Sequence, residues 1–211
     1  MKKLLLLIPI TVIVIGLFFF NYKKPVPVIC EDKIHIKELI PMTPNNKESW
    51  KKAIDFFSSG ENIRRSKHFF KEYGIPPSVY LAHAALETGF GNSSLVKKTK
   101  NRGNIKTKSK KGIKAYDKIE KSYDRYKIFP SYYEGEKAIM VILSKYKAIK
   151  KVQKSIDYRD WTKALEDSPY STDKDYEEKI NNIIKKFSLY NIDHSVLRDE
   201  VIINFNNKRL L

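Results

Sequence analysis

The fold of this chain is decided by the segment Tyr80-Leu81-Ala82-His83-Ala84-Ala85-Leu86-Glu87-Thr88-Gly89-Phe90-Gly91. Its apolar residues recur at helical spacing and predict a short helix with one face in a core. The preceding Pro76-Pro77 suits the first turn of a helix, and Gly89 and Gly91 can adopt the positive φ that ends one. Glu87 therefore falls in the last turn, at the rim of a cleft, where a carboxyl can act as a general acid. The alternative is a surface glutamate that ends a helix.

The composition indicates one folded domain with short attachments. Of the 211 residues 42% are hydrophobic, which is enough for a core, and Cys30 is the single cysteine, so no intramolecular disulfide forms. The formal net charge is +17, from 41 Lys and Arg against 24 Asp and Glu. Such a field attracts polyanions such as nucleic acid, anionic lipid or phosphate-rich wall polymers, although a lysine-rich genome would give the same excess.

The first residues have the pattern of an export signal. An uncharged apolar run, Leu4 to Phe20, follows Lys2 and Lys3 and approaches the ~17–25 residues that span a membrane. No small-x-small cleavage site follows, so residues 1–22 predict a signal-anchor rather than a cleaved signal peptide. We expect an exported protein, membrane-anchored or secreted, on the cell-wall side. The proline-containing residues 23–45 predict a tether.

The rest of the chain predicts an α+β fold that is mainly α. Apolar stripes predict helices on both sides of a lysine-rich segment, Lys97 to Lys127. The segment itself lacks such a stripe and predicts a small irregular β-hairpin with a turn at Gly112. The segment Ser131 to Glu134 is typical of a capping box that starts a helix. One apolar face is predicted to follow it, formed by Ile139, Ile142, Tyr146 and Ile149. The result is a helical body with a β-hairpin lobe inserted in mid-chain.

Four blocks of the sequence, in order, resemble the bacterial glucosaminidases of glycoside hydrolase family 73, the mannosyl-glycoprotein endo-β-N-acetylglucosaminidase type. The blocks are Gly74 to Gly91, Asn101-Arg102-Gly103-Asn104-Ile105-Lys106, Tyr126-Lys127-Ile128-Phe129-Pro130-Ser131, and Trp161 to Leu189 with its Tyr170-Ser171-Thr172-Asp173 turn. The resemblance implies a lysozyme-like fold over residues 46–195, with a C-terminal tail at 196–211. It also implies an endo-β-N-acetylglucosaminidase that cleaves peptidoglycan between N-acetylglucosamine and N-acetylmuramic acid.

The resemblance assigns Glu87 to the general acid that protonates the leaving glycosidic oxygen. The family's second carboxylate lies in the β-lobe, where Asp117 and Glu120 are the candidates and Asp124 is a weaker one. It could activate water or stabilise the positive sugar, and chemistry assisted by the sugar's acetamido group would make it partly dispensable. Predicted substrate-binding residues are Tyr170, Phe90, Asn104 and Tyr116. Tyr170 could instead pack as a turn aromatic, and Tyr116, like Tyr123, could be a core residue of its strand.

The sequence departs from the family pattern at several of these positions. The family often has glutamine at the position of His83 and tryptophan at the position of Phe90. Its loop more often has phenylalanine-glycine where this chain has Gly103-Asn104. These differences concern the shape of the sugar subsites.

Three other functions are compatible with parts of the sequence. His83 and Glu87 have the i, i+4 spacing of zinc ligands, but the other histidines fall in unrelated segments, so we expect no metal and no cofactor. A lytic transglycosylase also needs one glutamate on this kind of fold.

A non-catalytic basic module is the third alternative function, because residues 97–114 contain nine cations and no acid. That segment could bind anionic wall polymer or be a solvated loop. Nucleic acid is not expected as the partner of an exported protein, and the oligomeric state is left open.

Overall fold

The structure is a computed structural model that describes residues 47–117, 121–171 and 173–197. The predicted membrane segment, the predicted tether at residues 23–45, most of the predicted C-terminal tail and Glu120 lie outside the described residues. Within the described ranges, no helix is long and apolar enough to cross a membrane.

The described chain is mainly helical with one two-stranded antiparallel sheet, as predicted. The elements are α1 (Lys47–Phe57), α2 (Gly60–Tyr73), α3 (Pro77–Thr88), α4 (Ser94–Thr99), β1 (Ile113–Asp117), β2 (Ser122–Tyr126), α5 (Tyr132–Leu143), α6 (Lys147–Val152), α7 (Tyr158–Glu166) and α8 (Tyr176–Lys186). Residues 190–197 form a further helix, α9, which runs past the predicted domain end at residue 195.

Helix α3 is the centre of the helical body. It packs against α1, α2, α7 and α8, and every residue from Pro77 to Ala85 is buried, whereas the sequence predicted one buried face. The helix ends as predicted, because Gly89 adopts φ 55° and its N–H bonds to the carbonyls of Ala85 and Leu86. A core helix therefore ends at the surface, with Glu87 in its last turn.

The start of α3 is held by a residue far along the chain. The carboxylate of Asp193, on α9, accepts hydrogen bonds from the Ser78 backbone N–H at 2.8 Å and from the Ser78 hydroxyl at 2.6 Å. Burial raises the pKa of Asp193 to about 7, and the hydrogen bonds from Ser78 oppose that rise. The bonds satisfy one of the N–H groups that the first turn of a helix leaves without a partner.

The β-hairpin has a register in which Ile113 pairs with Tyr126 and Asp117 with Ser122. This register sets Tyr116 opposite Tyr123, with ring centroids 5.2 Å apart. The two side chains are 51% and 66% exposed. The alternative that they are core residues is therefore wrong, because both side chains are exposed to solvent.

Two predicted boundaries are wrong. Residues Lys97 to Thr99 belong to α4 and not to the β-hairpin segment: the Ser93 side chain caps α4 by accepting from the Val96 N–H, and Lys100 ends it at φ 55°. The predicted stripe after residue 131 is two helices, because α5 ends at Leu143 and α6 starts at Lys147. A turn keeps the later apolar positions facing the core, and Ile149 is buried.

We expect Asp193→Ala to lower the free energy of unfolding by about 2 kcal/mol, because it leaves the buried Ser78 N–H without an acceptor. Asp193→Asn is the matched control, since its amide oxygen can accept from the N–H and its NH2 can donate to the hydroxyl. Urea unfolding at pH 7 measures both. Equal stability of the alanine variant and wild type would contradict the role of this contact.

Candidate active site

Glu87 is held through both of its carboxylate oxygens. The Asn104 side-chain amide donates from Nδ2 to Oε2 at 2.8 Å, and the Tyr176 hydroxyl donates to Oε1 at 3.0 Å. Glu87 itself is half-buried. The two donors come from different parts of the chain, 17 and 89 residues from Glu87. The carboxyl is therefore fixed in orientation while part of it stays open to solvent.

Tyr176 is placed by the packing of α8 on α3. It is the first residue of α8 and is 5% exposed. Burial raises the pKa of the Tyr176 phenol well above its ordinary value, and the neighbouring Tyr170 and Glu87 raise it further. Tyr176 therefore remains a neutral hydroxyl over the working pH range. Tyr176 is not among the site residues predicted from the sequence.

His83 lies one turn before Glu87 and contacts the other tyrosine of the site. Its Nε2 is 2.8 Å from the hydroxyl of Tyr170, and the Tyr170 and Tyr176 rings lie 6.0 Å apart. Burial lowers the pKa of His83 and outweighs the opposing effect of Glu87. The neutral imidazole is thus engaged with Tyr170. Among the described residues, no group of three His, Cys, Asp or Glu side chains is arranged to hold a metal ion.

The loop that carries Asn104 is built from side-chain to backbone hydrogen bonds. Asn101 donates from Nδ2 to the carbonyls of Ile105 at 2.9 Å and Lys127 at 3.0 Å, and its Oδ1 accepts from the Ile105 N–H at 2.9 Å. Asn104 adopts φ 51°, a left-handed conformation that asparagine tolerates better than most residues. The resulting turn points the Asn104 amide at the end of α3.

A buried charged cluster lies beneath this loop. Glu136 on α5 accepts from Arg102 Nη1 at 2.7 Å, and its other oxygen is 3.0 Å from Arg65 Nε. Asn62 bridges both guanidinium groups, at 2.6 Å from Arg65 and 3.0 Å from Arg102. Because burying charges is costly unless they are paired, the two arginines and Glu136 depend on one another. The cluster joins the loop to α2 and α5.

Sequence reasoning missed this cluster, although a signal for it exists. Glu136 shares a helical spacing with the buried residues Ile139, Met140 and Leu143. Arg65 has the same relation to buried Phe69, four residues later on α2. A charged residue inside an otherwise apolar stripe indicates a buried partner of opposite charge.

The position of the predicted second carboxylate relative to Glu87 is not described by the structure. Asp117 is the last residue of β1, but its side chain lies outside the described atoms, and Glu120 lies outside the described residues. The weaker candidate, Asp124, forms an ion pair with Lys106 at 2.9 Å. The assignment of Asp117 or Glu120 stays a prediction.

Of the other predicted binding residues, Phe90 lies at the same end of α3. Phe90 follows Gly89 and is half-buried, with its ring 5.8 Å from that of Phe57 and 6.0 Å from that of Phe187. Phe90 thus supports the loop at the end of α3. Tyr116 is on the exposed face of the hairpin. Their contacts with a ligand stay predictions.

The residues around Glu87 form an arrangement that is suited to general acid catalysis. It provides one oriented, partly exposed carboxyl, two neutral tyrosines and a neutral histidine, with no described cation paired to the carboxyl. Such a carboxyl can give a proton to a substrate atom that approaches from solvent.

Comparison with protein families gives one match over more than half of the chain. The family described as "Mannosyl-glycoprotein endo-beta-N-acetylglucosaminidase" matches residues 65–189. The match contains Glu87, Asn104, Tyr170 and Tyr176, and so includes both described residues that hydrogen-bond the carboxyl.

One curated relative is the exo-glucosaminidase LytG of Bacillus subtilis, which is 29% identical over 136 residues. The alignment covers 59% of this chain and 48% of the relative, so the chain spans about half the length of the curated relative it matches.

Solved structures share the fold. A peptidoglycan hydrolase from Sphingomonas sp. A1 has a TM-score of 0.53 at 24% identity and covers 63% of this chain and 89% of its own. The catalytic domain of the autolysin Auto from Listeria monocytogenes has a TM-score of 0.52 at 22% identity and covers 80% and 98%. The glycoside hydrolase domain of FlgJ from Salmonella typhimurium has a TM-score of 0.52 at 22% identity and covers 74% and 98%.

We expect His83→Gln to reduce the loss of stability at acid pH. Burial lowers the pKa of His83 in the folded protein, so the unfolded chain takes up the proton first, and stability falls as the pH drops below about 6.5. Glutamine does not titrate, and its amide can still reach Tyr170. Between pH 7.5 and pH 5, urea unfolding should show a smaller loss of stability for the variant than for wild type. The control is His68→Gln, whose side chain is 38% exposed. Equal losses for wild type and His83→Gln would contradict this account.

Proposed function

Because this chain belongs to the glucosaminidase family that matches residues 65–189, we propose that it is a peptidoglycan hydrolase of the endo-β-N-acetylglucosaminidase type. Its substrate is the glycan strand, cleaved at the bond that links N-acetylglucosamine to the following N-acetylmuramic acid. The observation that carries the proposal is the geometry of Glu87, a partly exposed carboxyl held through both oxygens at the end of a buried helix.

Glu87 acts as the general acid. Its proton passes to the glycosidic oxygen as the bond between that oxygen and the anomeric carbon breaks, which releases the N-acetylmuramic acid side as an alcohol. Water then supplies a hydroxyl to the anomeric carbon, and its remaining proton restores the acid form of Glu87. A β-lobe carboxylate, Asp117 or Glu120, or the acetamido group of the sugar stabilises the positive charge that develops on the ring.

The tyrosines of the site serve this acid in two ways. Tyr176 has a hydroxyl that can rotate, so it donates to the ionised carboxyl and can accept from the protonated one. Tyr170 lies beside Tyr176 and is half-buried, and its hydroxyl is hydrogen-bonded to His83. We propose that Tyr170 also hydrogen-bonds the sugar from this position. Phe90 and Tyr116 are proposed to line the sugar subsites, Tyr116 by stacking its exposed ring on a sugar face.

An exo-acting enzyme of the same specificity is a second candidate. The Bacillus subtilis relative is named an exo-glucosaminidase. The two modes differ in how the product size changes with time. An endo enzyme shortens long strands early, whereas an exo enzyme releases small fragments from the strand ends from the start.

The exposed lysines of the lobe support a proposal for a second contact with the wall. We define the basic surface as Lys97, Lys98, Lys108, Lys110, Lys111 and Lys114, all exposed. Two other cations between residues 97 and 114, Arg102 and Lys106, form ion pairs with Glu136 and Asp124. We propose that the basic surface binds anionic wall polymer beside the glycan. We further propose export, with residues 4–20 as the membrane anchor, on the strength of their uncharged apolar sequence.

We expect Glu87→Gln to lower the rate of glycan cleavage by about 10²- to 10⁴-fold, because it removes the transferable proton and keeps the shape of the side chain. The amide of Asn104 can turn over to accept from the new NH2, so the fold should be retained. Release of new reducing ends from purified peptidoglycan measures the rate. Glu178→Gln, at an exposed position on α8, is the control. Wild-type turnover by Glu87→Gln would refute the assignment.

We expect replacement of Lys108, Lys110 and Lys111 by glutamine to weaken binding to intact walls by about tenfold at low salt, if each lysine contributes ~0.5 kcal/mol. Cleavage of short soluble glycan should not change. The matched control replaces three exposed lysines near α6, Lys145, Lys147 and Lys150, and so removes the same charge elsewhere. Sedimentation with walls before and after removal of phosphate polymers measures binding. An equal loss of wall binding in both triple variants would contradict the proposal, because it would show that net charge and not the basic surface determines binding.

A further inference from the structure

We propose that a pocket formed in part by the turn after Glu87 binds the acidic peptide that N-acetylmuramic acid carries in peptidoglycan, through a carboxylate of that peptide. The inference deepens the proposed function and rests on it, because it concerns the same substrate. The pocket has a volume of about 160 Å³ and lies between the first half of α1, the turn after α3 and the end of α8. The residues that line it include Trp50, Lys52, Phe90, Lys186 and Phe187.

The aromatic lining of the pocket is preformed. The ring centroids of Trp50 and Phe187 are 4.7 Å apart, and those of Phe90 and Phe187 are 6.0 Å apart. Trp50 and Phe187 are buried and Phe90 is half-buried. Phe90 also adopts φ 56°, a left-handed conformation that is uncommon for a bulky residue and persists only where its surroundings hold it. A ligand therefore meets an apolar surface that is already in place.

Two lysines add positive charge to this apolar surface. The Lys186 ammonium lies 5.7 Å from the ring centroid of Trp50 and 5.6 Å from that of Phe187. Lys186 is exposed, and within the described ranges no carboxylate is paired with it. Lys52 is also exposed and pairs with Glu48 at 2.8 Å, a surface ion pair that an incoming anion can replace at little cost. The pocket thus offers apolar contact beside a cation that can receive an anion.

A peptide with a carboxylate fits this combination better than the other parts of a cell wall. A neutral sugar has no charge for Lys186 to bind, and the pocket is smaller than the ~300–1,000 Å³ that drug-sized ligands occupy, so it suits the end of a peptide and not a disaccharide. A phosphate polymer has the charge but gains nothing from the aromatic rings. A peptide supplies an aliphatic part for the rings and a carboxylate for the ammonium group.

The pocket lies within reach of a peptide that is attached to the cleaved strand. Phe90 follows Glu87 by three residues, so their Cα atoms are at most about 11 Å apart. N-acetylmuramic acid carries its peptide on the sugar next to the bond that Glu87 is proposed to cleave, and four extended residues span about 13–14 Å. Trp50 and Lys52 precede the family match at residues 65–189, so that match does not describe this pocket.

The first test is Lys186→Gln, with Lys185→Gln as the matched control that removes the same charge from a neighbouring exposed residue. On soluble glycan strands that keep their peptides, Lys186→Gln should raise KM about threefold to fivefold at unchanged kcat, because one exposed ion pair with the bound substrate is lost. Lys186→Arg should restore the wild-type KM. On strands from which an amidase has removed the peptides, neither glutamine variant should change KM. Equal changes in Lys185→Gln and Lys186→Gln would overturn the inference.

A binding measurement that needs no cleavage separates this inference from the proposed function. The chain has two tryptophans, Trp50 in the pocket and the buried Trp161 on α7, so ¹⁵N-labelled protein gives two indole N–H resonances. The acetylated peptide alanyl-γ-glutamyl-lysyl-alanine should move the Trp50 resonance and leave that of Trp161 in place. The same peptide with amidated carboxyl groups should move neither.

The outcomes of this titration are distinct. A Trp50 resonance that stays in place, as it would if a segment before residue 47 occupied the pocket, would overturn the inference even in a protein that cleaves peptidoglycan. Equal movement with the amidated peptide would also overturn it, because no carboxylate would then be recognised. Movement that requires the carboxylates, in a protein that leaves the glycan uncut, would uphold peptide binding and refute the proposed function.

Discussion

The two hydrogen bonds that hold the Glu87 carboxylate are the interaction on which the rest of the site depends. They require that α3 stops within one turn of Glu87, that α8 starts at Tyr176, and that the loop at Asn104 turns with a positive φ. Each requirement is met by a different kind of local chemistry: a glycine, a helix start and a network of asparagine bonds. Loss of any one would leave a carboxyl at the surface without a defined direction.

The remainder of the body keeps those three elements in place. Asp193 holds the start of α3, and the buried cluster around Glu136 holds the loop below Asn104 against α5 and α2. Apolar packing alone would resist sliding of these elements only weakly, because it has no preferred direction. Buried hydrogen bonds and ion pairs do have a preferred direction, since a shift of about an ångström leaves charged groups without partners. This is how the fold fixes a carboxyl that stands partly in water.

Much of this architecture follows from the sequence, and the part that does not has a physical reason. The end of α3 at Gly89 and the presence of a hairpin are local features, and local pattern predicted them. The predicted hairpin turn at Gly112 is wrong, because Gly112 lies directly before β1 and the two strands are joined after Asp117. Glu87 was found because its helix and the glycines after it adjoin in sequence. Tyr176 and the cluster at Glu136 depend on contacts 89 and 34 residues apart, which pattern does not encode. Helix α4 was missed because six residues with two lysines in the last turn show no apolar stripe.

The measurement that tests the central claim most directly is the chemical identity of the new glycan ends. Purified peptidoglycan is digested with the protein, the fragments are reduced, and mass spectrometry identifies the terminal residue. An acid at Glu87 that serves hydrolysis on the proposed bond predicts reduced N-acetylglucosamine at the new ends. Anhydromuramic acid ends would show that the substrate's own hydroxyl replaces water, as in a lytic transglycosylase. Reduced N-acetylmuramic acid would place the cut at the other bond. Either of these results would contradict the account.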